Sequence, residues 1–232
     1  MINPEAEYVK ERYERRKLNI EDDRYSFLNA AVWQTVQERQ RAIISLFHQL
    51  RFSRLDDVML LEIGCGSGGN LLEFLRMGFR PENLRGLELL EDRVAQANLV
   101  LPAGIVQGGD ANAAIIDIGS QDIVFQSVVF SSLLDDSFQD ELATRMWSWV
   151  KPGGGVLWYD FVYDNPANPD VRGVSRARVR ELFPDAKITV QRITLAPPIS
   201  RLVTRLHPAL YNVFNMVPLL RTHILCWISK NS

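Results

Sequence analysis

Cysteine is scarce in this sequence: two, Cys65 and Cys226, stand in 232 residues. One such pair cannot supply the disulfide framework of a small secreted domain, and it suits a reduced, cytoplasmic setting. Net charge is nearly absent as well, at −2 from 26 basic and 28 acidic side chains. That balance argues against a polybasic nucleic-acid binder. No long apolar run occurs. The richest stretch, Leu202 to Leu220, is interrupted by Arg205, His207, Pro208, Asn212, Asn215 and Pro218, which makes a poor transmembrane helix. The charged opening, up to Lys17, lacks the apolar centre of a signal peptide. His48, His207 and His223 are scattered, with no H-E-x-x-H or C-x-x-C motif nearby, so no metal is expected. Repeats and low-complexity tracts are missing too. What is present, 47% apolar and 23% charged residues, describes a globular chain long enough for a sizeable core.

The first 50 residues read as helix. Ala30, Ala31, Val32, Val36, Ala42, Ile43, Leu46, Phe47 and Leu50 keep roughly helical spacing, with Glu38, Arg39 and Arg41 at polar positions between them. This predicts an N-terminal helical cap over 1–50. Strand and helix patterns then alternate through a core over 51–232. Strands are expected at 58–63, 84–89, 104–107, 122–130 and 155–161, and helices at 70–79, 92–99, 138–150 and 175–183. Such alternation implies a mostly parallel sheet covered on both faces by helices. Two late strands, 186–195 and 222–229, lack a regular crossover and predict an antiparallel pair at the sheet edge. A helical insertion near 197–221 separates them.

The clearest motif runs Glu62-Ile63-Gly64-Cys65-Gly66-Ser67-Gly68-Gly69, after a strand and at the opening of a helix. Glycines allow a tight turn and close approach of a ligand to the backbone, and a helix N-terminus favours an anionic group. Taken alone the spacing also fits a dinucleotide fingerprint. Three acids sharpen it. Glu62 lies where a dinucleotide-binding strand carries an apolar residue, and it can meet a cationic group. Glu88 ends the second strand, placed to accept from two ribose hydroxyls. Asp110 follows the third strand, within reach of an adenine amino group. All three fall on the carboxyl edge of the sheet, the usual ligand crevice of such folds.

At these residues the chain resembles the class I S-adenosylmethionine-dependent methyltransferases. Leu61 to Gly68 is similar to their first motif, Gly86-Leu87-Glu88-Leu89 to their ribose-binding strand end, and Gly109-Asp110-Ala111 to their adenine-contacting turn. Asp122 to Ser127 resembles their fourth strand, and Val150-Lys151-Pro152-Gly153-Gly154-Gly155 the turn before their fifth. A narrower likeness, in Tyr159 to Pro166, Asn168 to Gly173 and Leu219 to His223, is to methyltransferases encoded among bacterial polysaccharide and glycosyltransferase genes. The resemblance implies a Rossmann-like sheet with an antiparallel last strand, S-adenosylmethionine as cofactor and S-adenosylhomocysteine as product. It implies cofactor contacts from Glu62, Gly64, Cys65, Gly66, Gly68, Glu88, Leu89, Asp110, Ala111, Gln126 and Ser127. The narrower likeness implies O-methylation of a sugar or other small hydroxyl, in surface-polysaccharide or related glycan biosynthesis.

A hydroxyl is a poor nucleophile while protonated, so a general base is expected. Asp160, at the end of the fifth strand, is the first candidate, with Tyr163 in the loop beyond it; Asp135 and Asp136, after the fourth strand, come second. Tyr25, Asn165 and Arg172 are candidate acceptor contacts, and Tyr13 and Arg24 candidates to close over the site. Charge is uneven: residues 171–232 hold ten Lys or Arg against Glu181 and Asp185. The segment from Ile199 to Leu220 can serve as core, lid, dimer face or peripheral contact with the inner face of a membrane. Other acceptors remain open at this level (a natural product, lipid or quinone), as do a nicotinamide-dependent oxidoreductase and a noncatalytic cofactor-binding protein. The fourth strand lacks the Asn/Asp-Pro-Pro-aromatic motif used on nucleic-acid bases.

Overall fold

A computed structural model describes residues 4–19 and 26–231. Seven strands form one sheet: β1 (Leu60–Ile63), β2 (Leu84–Glu88), β3 (Val106–Gly108), β4 (Gln121–Ser127), β5 (Val150–Phe161), β6 (Lys187–Leu195) and β7 (Arg221–Ser229). Their spatial order is β3-β2-β1-β4-β5-β7-β6. The first five run parallel, and β7 pairs antiparallel with both β5 and β6. The late antiparallel pair is therefore as expected, with β7 inserted between its neighbours and β6 at the edge.

Each face of the sheet has its own apolar core. On one lie α1 (Pro4–Asn19), α5 (Asp136–Trp149) and α6 (Arg176–Leu182), through Ala6, Val9, Leu142, Met146 and Val179. On the other lie α2 (Ala30–Gln49), α3 (Gly69–Met77) and α4 (Glu91–Val100), through Ile43, Phe47, Leu71, Phe74 and Ala97. The helices within 1–50 are thus split between the two faces and share the cores of the sheet. The apolar spacing of α2 buries Ala42, Ile43, Leu46 and Phe47, as its sequence pattern predicts. The expected insertion forms α7 (Pro197–Leu206) and α8 (Leu210–Asn215), built around Leu195, Val203 and Tyr211. Among the described residues no helix is long and apolar enough to cross a membrane.

Three of the boundaries that differ from the sequence reading have a clear local reason. Strand β4 stops at Ser127, short of Phe130, because Val128 turns into the left-handed region at φ 60°. That conformation is strained for a β-branched residue. Helix α5 is capped by Asp135, whose Oδ1 accepts from Phe138 N at 2.7 Å, so Asp136 is its first residue. Strand β5 begins at Val150, which pairs with Gln121 before the Lys-Pro-Gly-Gly segment bulges out. Gly153 N and Gly154 O then bond Lys230 O and N.

Candidate active site

The site is built where the β1–α3 turn meets the carboxyl ends of β2, β3 and β4. Gly64, Gly66 and Gly68 all take positive φ, at 64°, 57° and 86°. A side chain at Gly64 would strike Val129 Cγ2 at 2.6 Å, whereas at Gly66 the nearest atom is Arg93 Nη1 at 4.0 Å. The turn is thus packed from below at Gly64 and open above Gly66, the arrangement a ligand lying on backbone requires. Cys65 is buried against Gly86, and burial beside Glu62 and Glu88 pushes its thiol above the usual range, which removes it from nucleophilic chemistry.

Glu88 ties this turn to β2. Its Oε2 accepts from Gly66 N at 2.7 Å and its Oε1 from Leu90 N at 2.8 Å. A carboxylate has about four lone-pair positions, so acceptor capacity remains. Asp110 follows β3, its Oδ1 accepting from Asn112 N at 2.9 Å. Leu89 and Ala111 are partly buried beside these acids and pack on the core. The side-chain Nδ2 and Oδ1 of Asn112 are both buried with no hydrogen-bond partner among the described residues.

Glu62 is the unusual group. It sits fully buried in β1, with Oε1 accepting from Asn70 Nδ2 at 2.6 Å and Oε2 unpartnered. Burial pushes its carboxyl up to about 8, against smaller opposing effects of Asn70 and Arg39. Arg39 reaches in from α2. Its Nη2 donates to Asn70 Oδ1 at 2.5 Å, its Nη1 to Ser127 Oγ at 3.2 Å, and it stands 3.5 Å from Glu73. The guanidinium lies 5.4 Å from the centroid of Tyr159, whose ring stacks on His223. The Nε of Arg39 is buried and unpartnered. An acid and a base therefore flank one asparagine at the head of the Gly-rich turn, each with an unused polar atom. Glu62, Glu88, Ser127 and the glycines were legible in the sequence. Arg39 was read only as a polar helix position, and Asn112 was not singled out.

Gln126 and Asp160 are both engaged with backbone groups around the end of β4. Gln126 Nε2 donates to Tyr159 O at 3.3 Å and its Oε1 accepts from Val129 N at 3.0 Å. Fully buried Asp160 accepts from Ser131 N at 3.2 Å and Phe161 N at 2.9 Å. Together they brace the strained turn at Val128. Burial pushes the Asp160 carboxyl up to about 7. Tyr163 is half exposed, and its hydroxyl accepts from Arg192. Asn165 is an exposed turn residue, its Oδ1 accepting from Ala167 N at 3.1 Å. Arg172 is paired with Asp136 at the surface, so its guanidinium is already engaged. Asp135, the helix cap, donates nothing to the crevice and is committed to Phe138 and Ser137.

Helix α1 closes one side. Its inward Glu5 accepts from Arg12 at 2.5 Å and from Leu134 N at 2.7 Å, and Arg12 also donates to Ser132 O. Tyr13 lies under the Arg93 guanidinium, 4.5 Å from centroid to Cζ, which links the helix to the residue above Gly66. The candidates Arg24 and Tyr25 lie outside the described residues.

Residues 61–158 match a family described as a methyltransferase domain. No curated protein matches the chain by sequence. Among solved structures, a methyltransferase from Thermotoga maritima aligns at 14% identity over 96% of this chain and 99% of its own, with a TM-score of 0.60. One from Methanosarcina mazei aligns at 12% identity over 81% and 98%, with a TM-score of 0.56. Phosphoethanolamine N-methyltransferase 1 of Haemonchus contortus, solved with phosphoethanolamine and S-adenosylhomocysteine, aligns at 12% identity with a TM-score of 0.63. That alignment spans 98% of this chain and 49% of the other. The seven-stranded sheet with its antiparallel β7 is thus the Rossmann-like fold of the class I methyltransferases, and residues 61–158 are similar in sequence to a methyltransferase domain.

Proposed function

We propose that the protein is an S-adenosylmethionine-dependent methyltransferase acting on a hydroxyl of a small acceptor, with a sugar hydroxyl as the favoured class. The observation that carries the cofactor is the half-satisfied Glu62 carboxylate, buried beside Asn70 and Arg39 at the Gly-rich turn. A methionine head brings one ammonium and one carboxylate. Glu62 Oε2 would take the ammonium and Arg39 the carboxylate, which fits the unused atoms on both. A dinucleotide pyrophosphate would instead bring no cation to pair with Glu62 Oε2. Glu88 keeps lone pairs for ribose hydroxyls. Asp110, Ala111, Leu89 and the unpartnered amide of Asn112 are the groups that would hold the adenine.

Bound S-adenosylmethionine supplies an electrophilic methyl group and leaves as S-adenosylhomocysteine. The chain's own work is to hold the acceptor oxygen in line with that methyl and to receive the hydroxyl proton. Ser127, on Arg39, lies beside the methyl position. Tyr163, exposed in the loop that follows β5, would relay that proton, accepting it as its own hydroxyl proton passes to solvent. Asn165 would contact the acceptor, as would Arg172 on exchanging its Asp136 partner. Asp160 acts as a positioning residue through the turn that it braces. The sugar assignment is supported by the resemblance in residues 159–173.

Titration calorimetry with S-adenosylmethionine, S-adenosylhomocysteine and NADH tests the reading. Binding of the two sulfur nucleosides without NADH is expected, and binding of NADH alone overturns it. Methyl transfer to nucleotide sugars, but not to amines of similar size, checks the acceptor class.

A further inference from the structure

Helix α7 exposes more apolar side chain than a helix that meets only protein and water needs. In α7 the residues facing the protein are Ser200, Val203 and Thr204, while Leu202 and Leu206 are 64% and 78% exposed. Thr204 Oγ1 donates back to Ser200 O at 2.8 Å, so the inward hydroxyl is satisfied by its own helix. Ordinary amphipathic packing does the reverse, with leucines inside and hydroxyls out. Leu202 and Leu206 are four apart and form an apolar row; Arg201 and Arg205, both exposed, form a basic row beside it. Beyond α8, in the same insertion, Met216 and Leu219 are 77% and 83% exposed. Single exposed leucines need no account, but a run of large apolar side chains within one insertion marks a contact surface.

Charge decides what the contact is. From Ala186 to Ser232 the sequence holds six Lys or Arg and no Asp or Glu. A second copy of the chain would meet this face with the same positive field, because a two-fold contact pairs a patch with itself. An anionic bilayer surface offers a negative potential to Arg201 and Arg205 and an apolar layer to the leucines, which is the signature of an interfacial helix. We propose that α7 and the segment running to Leu219 form a docking face for a membrane surface rich in anionic lipid headgroups. The insertion joins β6 to β7 where Leu195 pairs with Arg221, at the same sheet edge as Ser127 and Phe161. Docking would therefore set the candidate site towards the bilayer, where an acceptor carried on lipid would be met.

Cosedimentation with vesicles tests this, using phosphatidylglycerol–phosphatidylcholine mixtures against phosphatidylcholine alone. The protein is expected to bind only the anionic vesicles and to be released by salt. Leu202→Gln/Leu206→Gln should abolish binding, and Arg201→Gln or Arg205→Gln should each weaken it about fivefold. No binding to anionic vesicles, or undiminished binding of the double leucine variant, overturns the proposal. So does a dimer, seen by analytical ultracentrifugation, that the leucine variant dissolves. Circular dichroism and cofactor titration of the variants confirm folding. The vesicle assay contains no cofactor, so its failure leaves the methyltransferase reading standing, and the reverse holds too.

Discussion

The proposed pairing of Glu62 with a ligand ammonium couples binding to a proton, and the coupling can be measured. Its carboxyl is raised from an ordinary 4.5 to about 8 by burial in β1. At pH 7 the free protein therefore holds this side chain about nine-tenths protonated. An acid whose folded value lies above its unfolded value weakens the fold as pH rises. The loss is absent below pH 4.5, grows through the window from 4.5 to 8, and amounts to about 3 kcal/mol at pH 7. An ammonium held on Oε2 favours the ionised form, so binding at pH 7 should release close to one proton. Affinity should rise about tenfold between pH 6 and pH 7, still below the range, about 7.7, where an α-amino group itself loses its proton. Calorimetric titration with S-adenosylhomocysteine in two buffers of different ionisation enthalpy reads the proton count. Glu62→Gln keeps an oxygen for Asn70 but cannot ionise. It should bind about 10- to 100-fold more weakly at pH 7.5, with a flat pH profile and no proton release. The unliganded variant should also be more stable at that pH, by about 1–3 kcal/mol. Wild-type binding that is independent of pH and releases no proton would refute the pairing.

Two further predictions concern neighbouring acids. Glu88→Gln keeps one oxygen for either Gly66 N or Leu90 N and loses charge at the ribose position, so cofactor affinity should drop at least about tenfold while thermal unfolding shifts only modestly; calorimetry and a thermal scan check both. Asp160 has a folded value of about 7 against an ordinary 3.8, so wild-type stability should decline as pH rises through that interval. Asp160→Asn should lack this slope, gaining about 2 kcal/mol on wild type between pH 5 and pH 7.5 in urea unfolding. Because its role is to brace the turn, the variant should keep the wild-type pH profile of turnover, whereas Tyr163→Phe should lower turnover with cofactor affinity unchanged.

The alternation of strands and helices was legible because buried parallel strands read as apolar runs, as Leu60 to Ile63 and Ile123 to Phe125 do. Glu62 was legible for the same reason: a carboxylate inside such a run contradicts its surroundings. Arg39 was not, since it precedes the turn by a whole helix and a loop, and spacing along α2 gives it the look of any solvated position. Only the packing of α2 across β4 brings it to Ser127. The backbone contacts of Asp160 and Gln126 were not legible for a different reason. Their place at a strand's carboxyl end follows from sequence, but which backbone donors lie within reach depends on the left-handed turn at Val128, for which no glycine gives a signal. The division of the first 50 residues between two faces was hidden likewise, because amphipathic periodicity names a buried side without naming what it is buried against.

The position of β7 has a consequence for how the chain reaches its fold. As the last strand in sequence, it fills the gap between β5 and β6, with Ile224 to Ile228 buried in the middle of the sheet. Until it arrives, β5 and β6 each present an unpaired edge, and Gly155, Trp158 and Phe161 wait for partners some 60 to 75 positions later. During synthesis the first five strands and their helices can assemble while this slot stays open. Closing it is a long-range, late and all-or-none event, so a chaperone or a sticky neighbouring edge has its opportunity there.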